Sequence, residues 1–472
     1  MSAARTQCTS STEEFPFFFD RIHQDIAGSI RSFVMDRLRP DEDELAREGP
    51  VGLEAERLRC RVMARRLAEA GLFGLCIPAR YGGKLVRHPE AIDVRAVCLA
   101  REMLAWASGV ADVVFAMQGL GSYPIVLAGT DAQREEFLPA VIDGRSLAAF
   151  AITETEAGSD AAAMTTRAVR DDNGYVIDGS KTFISNAGIA GHYVLFAKTK
   201  PDAGSRGISA FIIRPEDPGF HFDGPIETLA EHPLGTIRFD RMRVPLSRRL
   251  GGEGDGFRIA MGTLDVFRST VGAAAIGMAR RALDEALSRS VTRKQFGKPI
   301  AEFQSTQTYL AEMATEIDAA RMLIYRAALA KDRGSERVTL EASMAKLYAT
   351  EVAQRAVDRS LQLHGGLGVV RGTTVERLYR EVRALRIYEG TSEIQRVVIS
   401  SVLTNAERVR LSELPTGATG ATDAARASKP DVAKPPSDAP AAEPELRREE
   451  DTKPRRITVS LKAVRLDDEK KK

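Results

Sequence analysis

The sequence has no cysteine pairs, no histidine cluster, no excess of either charge and no apolar run long enough to span a bilayer, and each absence removes a class of function. The four cysteines, Cys8, Cys60, Cys76 and Cys98, are scattered without a CxxC pair. That argues against a disulfide framework and for reduced thiols in the cytoplasm. The six histidines (His23, His88, His192, His221, His232 and His364) never approach metal-ligand spacing, so no protein-bound metal is expected. Lys plus Arg number 67 and Asp plus Glu 65, a balance that gives no reason to expect nucleic acid as a partner. Without an apolar span, no membrane association is expected either. The stretch from Met1 to Asp20 carries one arginine and an early Glu13-Glu14 pair, and reads as neither a secretory signal nor a transit peptide.

What is present is ordinary for a large globular chain. Its 472 residues, 43% hydrophobic and 28% charged, are too many for one core and suggest two or three domains. Residues 15–148 read mostly as helices: Leu58, Val62 and Leu67, with Met63, recur at each turn and stop at Gly71. Thr130-Asp131 offers an N-cap to a helix running towards Phe137. Residues 149–250 change to short β-rich runs, such as His192–Thr199 and Ile208–Ile213, broken by Gly, Pro, Asp and Asn. In Gly235–Pro245, Ile237 and Phe239 share one face, and Met242 and Val244 resume it after a phase slip at Asp240-Arg241, which predicts a bulge. Residues 251–408 are helical again. Leu310, Met313, Ile317, Ala320 and Ile324 form one stripe, and Leu340, Met344, Leu347, Val352 and Ala356 another, as in a helix bundle. From 412 the composition turns to Ala, Pro, Thr, Asp and Lys, which predicts a mostly disordered tail over 412–472. Within it Ile457, Val459 and Leu461 alternate like a strand.

Four segments are polar where a plain core would not be. Ala151-Ile-Thr-Glu-Thr-Glu-Ala-Gly-Ser-Asp160 supplies the hydroxyls of Thr153 and Ser159, suited to hydrogen-bonding a planar polar ring. Alone it reads equally as a polar loop. Lys181-Thr-Phe-Ile-Ser-Asn-Ala-Gly188 puts Phe183 and Ser185 on one strand face, an aromatic and a hydroxyl able to cover a flat cofactor. Arg293-Lys-Gln-Phe-Gly-Lys-Pro299 reads as a helix end stopped by Gly297, yet Arg293 could hold a pyrophosphate. Gln362-Leu-His-Gly-Gly-Leu-Gly368 is followed by Ile387-Tyr-Glu-Gly-Thr-Ser-Glu-Ile-Gln395, where Glu389, between Tyr388 and Gly390, is placed as a buried base.

In this order and spacing the four segments resemble the acyl-CoA dehydrogenase family, over residues 15–408. The resemblance implies an α+β architecture: an N-terminal α-helical domain, a middle β-sandwich or barrel domain and a C-terminal four-helix bundle. It implies FAD bound across a subunit interface, in a homotetramer built as a dimer of dimers. Phe150, Ile152, Thr153 and Ser159 are expected to line the isoalloxazine and the pyrophosphate approach, with Phe183 covering the ring and Ser185 near N5. Arg293, Phe296, Gln362 and Gly366 are expected to reach the neighbouring subunit's FAD, and Thr391 and Glu393 their own. Asp265 and Arg268 match positions that hold the pantetheine arm. Ser159, Tyr388 and Gly390 complete the substrate contacts, with Met117, Gln118 and Leu120 near the acyl group. The residue just before Arg268, where some relatives carry their base, is Phe267.

The resemblance also implies a reaction, α,β-dehydrogenation of an acyl-CoA to its trans-2-enoyl thioester, within fatty acid metabolism. Glu389 takes the weakly acidic α-proton, desolvated so that its pKa rises towards working pH, and the β-hydrogen leaves to flavin N5. Donors at the thioester oxygen, the base's own N–H among them, stabilise the developing enolate. Electrons pass to an electron-transfer flavoprotein. The sequence leaves open an acyl carrier protein as substrate, oxygen as acceptor, and a flavin-binding interaction protein without turnover. Phe183, where tryptophan is common, Thr155, where proline is common, and Gly372, where an acidic residue is preferred, depart from the family pattern.

Overall fold

The computed structural model describes residues 8–40 and 52–413, so the tail from 414 onward and its alternating Ile457–Leu461 segment lie outside the described residues. The N-terminal part is helical: α1 (Arg21–Phe33), α2 (Leu53–Glu69), α3 (Val94–Ala107), α4 (Gly109–Ala128) and α5 (Asp131–Ile142). Thr130 caps α5 as expected. Its hydroxyl accepts from the Gln133 N–H at 3.2 Å, and the Gln133 side chain accepts from the Thr130 N–H at 2.8 Å. The α2 stripe differs from expectation. Leu58 and Val62 are exposed, and the face turned to the core carries Cys60, Met63, Ala64 and Leu67.

Helix α3 is buried along its whole length. Its charged residues tolerate this because each is paired: Arg95 with Asp332 at 2.7 Å, Arg101 with Asp112 at 2.8 Å, and Glu102 with Arg280 at 2.6 Å. The partner of α3 is the long α6 (Gly256–Thr292). The two cross so closely that a Cβ on Gly277 would lie 2.1 Å from the Glu102 carbonyl oxygen. Among the described residues, two helices are long and apolar enough to cross a membrane, contrary to the sequence expectation: α4 and α6. Both are mostly buried inside the protein, 72% and 83% of their apolar windows, as centres of the helical core.

Between the helical parts lies a sheet domain: β1 (Ala148–Ala151), β2 (Arg167–Arg170), β3 (Gly174–Ser185), β4 (His192–Lys198), β5 (Ile208–Ile213), β6 (Phe220–Pro225), β7 (Leu234–Pro245) and β8 (Arg249–Leu250). The eight strands form one mixed sheet, ordered β6-β7-β3-β2-β4-β5-β8, with β1 parallel to β4. The bulge falls where the phase slip predicts it: Arg241 adopts φ +48°, and Ile237, Phe239, Met242 and Val244 all remain buried. Alternation gives the sheet two buried faces. Tyr193, Leu195, Phe211 and Ile177 form the sheet's own core, whereas Phe150, Val194, Phe196 and Ile212 join the helical core.

The C-terminal part comprises α6, α7 (Gln304–Asp332), α8 (Thr339–His364), α9 (Thr374–Val382) and α10 (Ser392–Ser412). Arg293–Pro299 is not a helix end stopped by Gly297. Helix α6 already ends at Thr292, and Lys294–Gln295 pairs with Lys298–Pro299 across a two-residue turn in which Phe296 and Gly297 have φ +51° and +81°. On α7 the expected stripe is buried from Met313 to Ile324. On α8 the inward face is instead built from alanines, Ala342, Ala345, Ala349, Ala353 and Ala356, with Val352; Met344 and Leu347 lie at its edge. Small side chains let α8 lie close against α6, so the largest apolar residues are not the most buried ones.

Candidate active site

The chain leaves α9 through a turn at Arg383–Arg386 and reaches Tyr388, Glu389 and Gly390 before α10 begins. Glu389 and Gly390 are both left-handed, with φ +54° and +93°. A glutamate held there stores strain of about 1–3 kcal/mol, which persists only where the surroundings impose it. They do so through carbonyls. The Gly390 carbonyl accepts from Lys346 Nζ at 2.8 Å and from Gln395 Nε2 at 2.9 Å, and the same amide reaches the Glu389 carbonyl at 3.2 Å. The φ of Gly390 favours glycine, and a Cβ there would lie 2.6 Å from Gln395 Nε2 and press on the amide that holds the turn. Arg386 and Ser392 both bond Glu351 of α8, at 2.9 and 2.6 Å, pinning either end of the loop to that helix. Thr391 accepts from the Ile394 N–H at 3.3 Å and caps α10.

The Glu389 carboxylate is turned inward, and its Oε2 is sealed from solvent with no hydrogen-bond partner. Burial raises its pKa above the ordinary carboxylate range; Arg101, Lys346 and Arg268 pull it back, and Asp112 pushes it up. Each cation is itself constrained. Arg101 is held by Asp112 through two bonds of 2.8 Å and by Thr270 at 3.0 Å, and it faces the Tyr388 hydroxyl. Arg268 meets Asp265 at 3.3 Å, and burial lowers its pKa. Burial brings Lys346 down to about 8 while Glu389 opposes the change. A carboxylate with raised pKa, no bonds to release and cations at its flank is suited to take a proton from carbon.

The other expected residues divide into three groups. Ile152, Thr153, Phe183 and Ser185 come together where β1 meets β3: the Thr182 N–H donates to the Thr153 carbonyl at 3.0 Å, and Lys181 Nζ donates to that of Ile152 at 3.0 Å. Phe183 is exposed on a left-handed backbone, φ +54°, and Ser185 Oγ bonds His232 Nε2 at 2.7 Å. The Phe150 ring does not join this shelf; it points into the core, 4.8 Å from Phe196. Arg293, Phe296, Gln362, Gly366 and Glu393 form the second group, all exposed, with Phe296 94% so. Ser159 is exposed as well. Asp265 and Arg268 form the third group. They are buried, and Asp265 also accepts from Thr339 at 2.7 Å. Of the acyl-side residues, Gln118 is committed to structure: it donates to the Val114 carbonyl at 2.9 Å and accepts from the Ala148 N–H at 3.0 Å. A cavity of about 210 Å³ opens beside Tyr388, lined by Gly109, Val113, His232 and Met278 among others.

Sequence reasoning missed Arg101, Asp112, Lys346, Gln395 and His232. The signal was available for Asp112 and Lys346: each is a charge with apolar residues on both sides in its helix, Ala111 and Val113 for the one and Ala345 and Leu347 for the other, a position that is inexpensive only when the charge is paired or used.

The residues fit FAD. The exposed Phe183 ring, the Ser185 hydroxyl and the backbone of Ile152–Thr153 make a shelf for a flat, hydrogen-bonding ring, and the bare Phe296 is an apolar surface a second subunit could cover. Three family models match the chain in succession: the acyl-CoA dehydrogenase N-terminal domain over 21–145, the middle domain over 149–242 and the C-terminal domain over 254–404. The chain is 39% identical over 389 residues to 3-(aryl)acrylate reductase of Clostridium sporogenes, covering 82% of this chain and 99% of that protein. It is 41% identical over 346 residues to the caffeyl-CoA reductase-Etf complex subunit CarC of Acetobacterium woodii, covering 72% and 88%. The structure of butyryl-CoA dehydrogenase from Megasphaera elsdenii superimposes with a TM-score of 0.75 at 36% identity, covering 82% of this chain and 99% of that one. Helical N- and C-terminal domains around a sheet domain, the ring shelf and these matches together place the chain in the acyl-CoA dehydrogenase family, as an FAD-dependent oxidoreductase acting on acyl-CoA.

Proposed function

We propose that the protein dehydrogenates an acyl-CoA to the trans-2-enoyl thioester, with Glu389 as the base that takes the α-proton. The observation carrying this reading is the Glu389 carboxylate itself: held on strained backbone, sealed from solvent at Oε2 and unbonded. FAD, held by Ile152, Thr153, Phe183 and Ser185 and by Arg293, Phe296, Gln362 and Gly366 of a second subunit, supplies the two-electron acceptor when bound. Thr391 and Glu393 contact the FAD of their own subunit, Ser159 and Gly390 line the substrate, and Asp265 and Arg268 face the pantetheine arm. Glu389 and the peptide N–H groups of its turn orient the thioester, and the walls around Oε2 keep water from that oxygen. The acyl group takes the cavity beside Tyr388. Four free, buried cysteines support a cytoplasmic setting, and the shared cofactor site supports a homotetramer that passes electrons to an electron-transfer flavoprotein. Anaerobic addition of an acyl-CoA panel to the FAD-loaded protein should bleach the flavin, and Glu389→Gln should abolish the bleaching. Bleaching that survives in Glu389→Gln would remove Glu389 from the role.

A second reading runs the same site in reverse, and the names of two relatives, an acrylate reductase and a caffeyl-CoA reductase, favour it. Glu389 then returns the proton to the α-carbon. Reoxidation of the prereduced protein by 2-enoyl-CoA esters, compared with reduction by the saturated esters, decides the direction.

A further inference from the structure

We propose that Lys346 is a positioning residue for Glu389: its ammonium, bonded with Gln395 to the Gly390 carbonyl, holds the left-handed turn that aims the carboxylate, and its charge faces that carboxylate without bonding it. The inference rests on Glu389 being the base.

Lys346 is fully buried on α8, and the one hydrogen bond its ammonium makes among the described residues goes to Gly390. A buried ammonium without a salt bridge is costly, and the protein has the means to avoid it: Lys181, equally buried, is paired with Glu154 at 2.8 Å. Lys346 instead binds a neutral carbonyl and leaves its positive field to the nearby carboxylate. The carbonyl is the one that controls the turn. Freed from Lys346 and Gln395, the peptide after Glu389 could rotate out of the left-handed region and swing the carboxylate away. The second effect is electrostatic. The charged groups facing Glu389 are Arg101 from α3, Asp112 from α4, Arg268 from α6 and Lys346 from α8, with Tyr388 beside it on the same loop. Arg101 is neutralised in place by Asp112 and Arg268 is paired with Asp265, whereas Lys346 has no salt bridge among the described residues; the other acids that face it, Glu351 and Glu393, are paired with Arg386 and Arg396. The Lys346 charge opposes the rise that burial imposes on the Glu389 carboxyl and so favours the ionised form, the one able to accept a proton.

The test is rapid-mixing flavin reduction by a bleaching acyl-CoA across pH 5 to 9, using full-length holoenzyme. Wild type, Lys346→Met, Lys346→Arg and Gln395→Leu are compared, with Glu389→Gln as control. Lys346→Met should slow reduction at neutral pH at least about 10-fold, the low end of what acid–base alignment contributes being larger still. Its ascending pH limb should move upward, because losing a cation raises the carboxylate's pKa. Substrate affinity and FAD content should be unchanged, and Lys346→Arg should recover much of the rate. Gln395→Leu, which removes the clamp but not the charge, should slow reduction without moving the limb. A Lys346→Met enzyme with wild-type rate and limb overturns the proposal while Glu389→Gln still kills the reaction. If Glu389→Gln is active, the base assignment falls and this proposal with it. Should Lys346→Met fold poorly, Lys346→Gln, which keeps a donor and loses the charge, carries the same pH criterion.

Discussion

Two buried Lys–Glu couples in this molecule have been put to opposite uses. In the sheet domain Glu154 is bonded on every side: Lys181 at 2.8 Å, the Thr165 N–H and hydroxyl at 2.6 and 2.8 Å, and the Thr166 N–H and hydroxyl at 3.0 and 2.6 Å. Against the cost of burial, Lys181 and these donors bring its pKa down to about 2. At the candidate site Glu389 has the same kind of neighbour in Lys346, yet the lysine bonds a carbonyl and Oε2 bonds nothing. Burial dominates there and the pKa rises. Both lysines fall to about 8; at Glu154 the Lys181 charge and the hydrogen bonds to the carboxylate together outweigh burial, whereas Glu389 has no such bonds and burial prevails. A saturated carboxylate is a fixed anion that holds a fold together. An unsaturated one can take a proton.

The largest expected consequence is kinetic. Glu389→Gln should reduce flavin bleaching by acyl-CoA about 10²–10⁴-fold or more, the range for loss of a positioned base. The same change should leave the unfolding midpoint unchanged or higher, since it removes a buried charge without breaking a bond. Glu154→Ala should do the reverse. Leaving Lys181 buried and unpaired costs about 3–5 kcal/mol, read by denaturant unfolding, and Glu154→Leu with Lys181→Met should recover most of it. A Glu154→Ala protein as stable as wild type would erase the contrast.

Acid sharpens it further. The folded pKa of Glu154 lies below the ordinary 4.5, so its stabilisation is complete above about that pH and is lost as pH falls towards 2. Stability measured from pH 6 down to 3 should therefore drop less steeply in Glu154→Gln than in wild type. The smallest effect concerns the turn. Gly390→Ala forces a side chain to φ +93° and towards Gln395, costing about 1–3 kcal/mol. It should slow flavin reduction more than it lowers the melting temperature, if the turn serves to aim Glu389.

The sequence carried the fold well where local signals agree with packing. Thr130 capped its helix, the Asp240-Arg241 slip became a bulge, and Met313 to Ile324 faced inward. It failed where size and burial part company. On α8, close helix contact selected alanines over Met344 and Leu347, and on α2 Leu58 and Val62 were left in solvent. The same logic made α4 and α6 apolar enough to pass for membrane spans although they are core helices. Of the site, Glu389 and the Phe183–Ser185 shelf were legible because motifs mark them. Arg101, Asp112, Lys346 and Gln395 were not, because their roles depend on which helices meet around the turn. A lone charge in an apolar helix shows that something must compensate it, and only the assembled fold shows what does.

The central claim is that Glu389 removes the α-proton, and it can be read without regard to electron acceptor or direction. The FAD-loaded protein, incubated anaerobically in deuterated water with an acyl-CoA, is followed by mass spectrometry for exchange at the α-carbon. The account predicts exchange in wild type and none in Glu389→Gln. Exchange at an undiminished rate in Glu389→Gln would contradict it.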